Sequence, residues 1–231
     1  MTWAGLLLAD PSPCLRYLVL RELLDRPVDD PEVQELAALR EEDSLVAGLL
    51  ARQASDGSWD SEVVPGLRPG QRLYATAQAL ARLGYLGFGP EHPAVQRAAG
   101  FLFALQEEDG SWPLPGYDQE EEALSGYATD PRAERAYAWL LAQRLPDGAW
   151  PTGLAGGGVY GGVGGYRRLA HSRWGCRSNT TGALLCLAHH PQRRQSVEAR
   201  RALDLLLGRE TREPSAVGYE VARLLGAEPT R

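Results

Sequence analysis

The sequence of 231 residues contains no lysine and no isoleucine, a single methionine, three phenylalanines and three cysteines. Because all 24 basic residues are arginine, Schiff-base chemistry on a lysine and the phosphate-binding lysine of a P-loop are excluded. Cys14, Cys176 and Cys186 are an odd and sparse set, read as free thiols in a reducing compartment, so a cytoplasmic location is expected. The apolar opening, Met1 to Ala9, is short, lacks a basic flank and runs into Asp10-Pro11, so it is expected to be neither a signal peptide nor a membrane span. A net charge of −6 and a pI near 5.3 argue against nucleic acid as the main partner. With 44% hydrophobic residues the chain can bury one sizeable core, and a single domain over 1–231 is expected.

What is present in excess is a repeated phrase. Gln53-Ala-Ser-Asp56-Gly57-Ser58-Trp59 returns as Gln106-Glu-Glu-Asp109-Gly110-Ser111-Trp112 and, aligned on its glutamine and one residue longer, as Gln143-Arg-Leu-Pro-Asp147-Gly148-Ala-Trp150. Each copy closes an apolar helical run, turns on Asp-Gly, where glycine accepts positive φ, and then presents an indole. The expected role is a staple: the glutamine caps nearby backbone while the tryptophan lies against it.

This phrase resembles the QW repeat of squalene-hopene cyclases and protein prenyltransferase β-subunits. The resemblance covers residues 43–208 and implies an all-α fold, an α/α toroid or toroid arc of inner and outer helices around an apolar pocket. About five helical hairpins are expected, closing within one chain or by pairing with a second copy. Residues 1–42 then supply N-terminal helices, which also resemble HEAT-type hairpins in texture, and 209–231 a terminal helix. In the family order, the segments starting at Gln71, Asp118 and Ser178 are the inner helices, and those over 92–105 and 132–143 are outer ones.

Class II cyclases protonate an alkene with an Asp-x-Asp-Asp motif, which needs a strong acid tuned by neighbouring carboxyls in a dry pocket. That motif is absent. The nearest match at an inner-helix start is Asp118-Gln-Glu120-Glu121, which makes these three residues the candidate acids; the competing reading is a solvated acidic helix start favoured by the helix dipole. The prenyltransferase metal set does not carry over, since Trp174 stands two before Cys176. Cys176 and Cys186 would be about 15 Å apart on one helix, and His189 and His190 are expected at the surface. No metal and no cofactor are expected.

Gly161 to Gly165 lacks the βαβ context of a dinucleotide site. Beyond it, Arg167, Arg168, Arg173 and Arg177 approach a helix start and make a candidate diphosphate or carboxylate site, or else a solvated basic loop. Tyr74, Tyr117, Tyr160, Tyr166 and Trp174 are candidate π faces for an apolar chain or a cation. Two function classes follow: a protein binding an apolar isoprenoid, with non-standard or absent cyclase chemistry, and a non-catalytic helical-repeat scaffold for protein partners.

Overall fold

Helix starts in this chain are written by a polar cap followed by proline. Ser12, Asp30, His92 and Asp130 each precede a proline, and each side chain accepts a hydrogen bond from a main-chain N–H of the first turn. Proline at the first helical position loses nothing, because that N–H has no intrahelical partner. The computed structural model describes residues 3–63, 71–113, 127, 129–151, 169, 172 and 174–212. Among them run nine α-helices: α1 (Trp3–Leu8), α2 (Pro13–Leu18), α3 (Pro31–Leu39), α4 (Ser44–Leu50), α5 (Arg72–Tyr85), α6 (Pro93–Ala104), α7 (Pro131–Ala142), α8 (Arg177–Ala188) and α9 (Val197–Arg212). The described residues form no strand; Pro151 and Gly175 share an isolated antiparallel bridge. Among the described residues the all-helical expectation therefore holds. None of the helices among the described residues is long and apolar enough to cross a membrane.

One expected helix is broken. The periodicity from Pro13 to Arg26 predicts a continuous helix, but α2 ends at Leu18 and continues as a π-helical turn over Val19–Leu23. Asp25 then takes a positive φ of 50°. Pro27 explains the stop, since it disfavours helical geometry at Arg26, and the Arg21 guanidinium caps the Arg26 carbonyl.

The chain divides into two compact units, the first built on Met1–Leu105 and the second on the chain from Gln106. In the first, Leu20, Val33 and Leu36 form a small core with Leu8 and Tyr17 against it. The Arg40 guanidinium lies over both Tyr17 (4.0 Å) and Phe88 (4.6 Å), and donates to the Gly87 carbonyl at 2.7 Å. Helices α5 and α6 pack through small side chains: Ala75, Thr76, Ala77 and Ala79 with Leu80 and Leu83 on one, Ala94, Ala98 and Ala99 with Val95, Leu102 and Phe103 on the other. Phe103 is buried in the core, and Phe101 is half-buried.

In the second unit Leu145, Ala149 and Leu169 form a core, with Trp174, Leu205 and Leu206 packed on it. Tyr137 of α7 donates its hydroxyl to the Cys186 carbonyl of α8 at 3.2 Å. Burial pushes that phenol up to about 12, so it remains a donor.

Candidate functional site

The repeated phrase builds a bracket around each glycine turn, and the residues that differ show what each position does. In the first loop, Ala54 N donates to the Ser58 carbonyl and Gly57 N to the Ala54 carbonyl, at 2.8 and 2.9 Å. Asp56 Oδ1 accepts from both the main chain and the hydroxyl of Ser58, and Arg72 pairs with its other oxygen at 2.8 Å. The Ser58 hydroxyl, its main-chain N–H and Arg72, in that order, hold the Asp56 carboxyl below the usual carboxylate range. Gly57 has φ 89°, and a Cβ there would lie 2.3 Å from the Arg97 carbonyl oxygen. Only glycine fits.

From this turn the bracket reaches three helices. Gln53 Nε2 donates to Gly57 O at 3.0 Å and to Ala94 O, at the start of α6, at 2.8 Å. Arg97 answers by donating to Gln53 Oε1. The indole Nε1 of Trp59 donates to Leu49 O on α4 at 2.7 Å, while Trp59 N donates to Thr76 Oγ1 on α5 at 2.9 Å. The labour is divided between the two side chains: the amide serves the turn and the later helix α6, and the indole serves the preceding helix α4.

The second loop repeats the bonds of the amide. Gln106 Nε2 donates to Gly110 O and to Arg132 O, both at 3.0 Å, and Arg135 donates to Gln106 Oε1 at 3.0 Å. Gly110 has φ 95°, and a Cβ on it would approach the Arg135 carbonyl oxygen to 2.4 Å. Asp109 is held low chiefly by the Ser111 hydroxyl and N–H.

The third loop corrects the sequence alignment. Leu145 N donates to Ala149 O, and Gly148 N to Leu145 O, in the register of Ala54 and Glu107. The residue in the glutamine position is therefore Arg144, not Gln143, and the loop carries no insertion. Trp150 keeps both bonds, Nε1 to Leu140 O at 2.7 Å and N to Thr180 Oγ1 at 3.1 Å. Arg201 of α9, at the helix position of Arg97 and Arg135, donates instead to Asp147 O at 2.8 Å. Asp147 accepts from Ala149 N and from the Ser172 hydroxyl. Glu198, near the start of α9, is held low by its own N–H and by Ser196, with Arg144 and Arg193 adding positive charge.

Three of the candidate ligand residues fall on the described chain. Tyr74 is half-buried on α5, two residues before the Thr76 that receives Trp59. Trp174 packs against Leu145, Ala149 and Leu169. Arg177 opens α8 and is half-buried. Asp118, Glu120, Glu121, Tyr117, Tyr160, Tyr166, Arg167, Arg168 and Arg173 lie outside the described residues, as do residues 213–231 of the expected terminal helix, whose first residues, 209–212, are the end of α9. Helices α5 and α8 begin at Arg72 and Arg177, one residue from the starts expected at Gln71 and Ser178.

All three cysteines are free and buried, and burial pushes the Cys14 thiol up to about 11, which keeps it protonated and unreactive. The described residues bring no three His, Cys, Asp or Glu side chains together in a metal-binding group. The histidine pair departs from expectation: His189 is exposed, but His190 is 2% exposed. Its Nε2 lies 2.7 Å from Glu134 Oε1 on α7, and Arg193 reaches the other oxygen at 2.6 Å. The signal that marks it is Pro191: His92, before Pro93, also caps a turn. No protein-family model and no curated protein matches the chain.

Proposed function

We propose that this chain is a repeat protein of the terpene cyclase and prenyltransferase kind, an α/α toroid or toroid arc, that binds an apolar isoprenoid in its interior without the standard class II protonation step. The observation that supports it is the bracket itself. The same glycine turn and forward arginine recur at 53–59, 106–112 and 144–150, and Trp59 and Trp150 make matching bonds, which is how a closed or arched array of hairpins would be pinned at each step. The loop carboxylates are occupied by the turns themselves, since Asp56, Asp109 and Asp147 each accept the main-chain N–H two residues on. Asp56 and Asp109 are held below the ordinary carboxylate range by these bonds and are poor proton donors, so the loops are architecture and any proton transfer falls to Asp118, Glu120 and Glu121. Glutamic acid is the weaker acid by a few tenths of a unit, which favours binding or an activated substrate such as an epoxide. Arg167, Arg168, Arg173 and Arg177 would receive a diphosphate.

Mass spectrometry of co-purifying small molecules, followed by incubation with squalene, oxidosqualene and prenyl diphosphates, tests this reading. An isoprenoid retained by the protein supports it; a cyclised product lost in Glu120→Gln or Glu121→Gln would add catalysis. Absence of any isoprenoid binding in calorimetry would leave the scaffold role.

A further inference from the structure

Two of the four histidines sit in the same local device, one in each compact unit. His190 Nδ1 accepts the N–H of Gln192 at 3.2 Å and that of Arg193 at 3.1 Å, capping the 3-10 turn Arg193–Gln195. A nitrogen that accepts carries no proton, so the ring proton is on Nε2, where it is donated to Glu134 Oε1. His92 is arranged alike. Its Nδ1 accepts Ala94 N at 3.3 Å as the cap of α6, and its Nε2 faces Glu41 Oε1 at 3.2 Å. Each ring also meets an aromatic edge-on, Tyr137 for His190 and Phe88 for His92. We propose that these two histidines are acid-sensitive latches: each ties a carboxylate on another helical segment to the turn it caps while it is the neutral Nε2–H tautomer, and a second proton, on Nδ1, turns the cap's acceptor into a donor and releases the turn.

The charges around each ring set the balance. Facing His190 are Glu134 and the neutral Tyr137 from α7 and Arg193 from the capped turn, with Glu198 within electrostatic reach of Arg193. Glu134 favours an added proton and Arg193 opposes it. Facing His92 are Glu41 and, across Phe88, Arg40, with Glu91 adjacent in the chain. The His190 side chain is 3% exposed and that of His92 12%, and His190 caps two N–H groups against one. The larger response belongs to His190.

The test is nuclear magnetic resonance on the intact chain, with the ring nitrogens reporting tautomer and charge and the amides reporting hydrogen exchange. At neutral pH both rings should show the Nε2–H form. On acidification, protection of the Gln192 and Arg193 amides should fall about tenfold as His190 gains its second proton, the scale of one to two hydrogen bonds, with a smaller fall at Ala94. In His190→Asn, whose side-chain oxygen accepts the same N–H groups without titrating, protection should not follow pH. If that variant fails to fold, Glu134→Gln serves: its amide oxygen still accepts from Nε2–H, and the transition should move to lower pH because the carboxylate that favours the proton is gone. An Nδ1–H tautomer at neutral pH, amides that stay protected while the ring charges, or a transition unmoved in Glu134→Gln would overturn the proposal.

Discussion

The first and third Asp-Gly loops solve one geometric problem with different chemistry. In the first, a neutral amide satisfies two carbonyls and receives a guanidinium in return. In the third, Arg144 stands in the glutamine position and adds its positive charge to the surroundings of Glu198, and Arg201 takes over by donating to the loop carbonyl of Asp147. The two tryptophan bonds and the threonine acceptor are unchanged. The invariant part of the bracket is therefore the indole and the turn, and the forward reach to the next helix is open to substitution.

The largest expected effect tests the invariant part. Trp59 is wholly buried and Trp150 nearly so, so Trp59→Ala and Trp150→Ala should each cost about 3 to 5 kcal/mol, as large aromatic truncations in cores do. Urea unfolding measures both. A loss confined to one would show that the two loops are not equivalent.

Next come the glycines. A Cβ on Gly57 meets main chain at 2.3 Å, whereas one on Gly148 meets the Arg201 side chain at 2.8 Å, and a side chain can move. Gly57→Ala should cost about 2 to 4 kcal/mol from strain at positive φ plus the backbone clash, and Gly148→Ala about 1 to 2 kcal/mol. Equal losses would dissolve the distinction.

Gln53→Ala should cost about 1 to 3 kcal/mol by leaving the carbonyls of Gly57 and Ala94 without their donor. Arg144→Gln should change stability by less than about 1 kcal/mol and reduce its dependence on salt, because the Glu198 interaction is electrostatic and accessible to ions. A large loss on that substitution would show that the third loop depends on charge.

The smallest effect is at acid pH. The folded carboxyls of Asp56 and Asp109 titrate below their ordinary value of 3.8, so their stabilisation is full above that value and disappears as pH falls through the lower folded one. Asp56→Asn should flatten this acid limb in unfolding curves taken between about pH 2 and 5. An unaltered limb would assign it to other carboxylates, among them Glu134, which Arg193 and His190 hold low.

Helix positions are readable because they are set by local chemistry: the cap and proline before α3, α6 and α7, and the apolar spacing within them, stand in the sequence itself. The glycine turns are equally legible, since Asp-Gly names its own φ. The third register is not. Matching letters selects Gln143, but the spacing to Asp147 belongs to Arg144, and only the main-chain bonds of Leu145 and Gly148 decide between them. His190 is hidden for a related reason: a histidine beside a proline reads as surface until its two capped N–H groups and its carboxylate partner, 56 residues away, are brought together. Of the candidate ligand residues, Tyr74, Trp174 and Arg177 lie on the described chain.

The reach of the bracket has a consequence for how the chain is made. Each of the indoles of Trp59 and Trp150 looks back 10 residues, to a helix already synthesised, while Gln53 waits for a carbonyl 41 residues ahead and Gln106 for one 26 ahead. At ribosomal speeds of about 5 to 20 residues per second, the first wait lasts roughly 2 to 8 seconds. The chain should accordingly assemble in order from its N-terminus, with the helices before Trp59 and Trp150 fastened on emergence and the amides of Gln53 and Gln106 engaged only when α6 and α7 arrive. Nascent chains halted before Ala94 would keep the Trp59 contact and leave the amide of Gln53 to water.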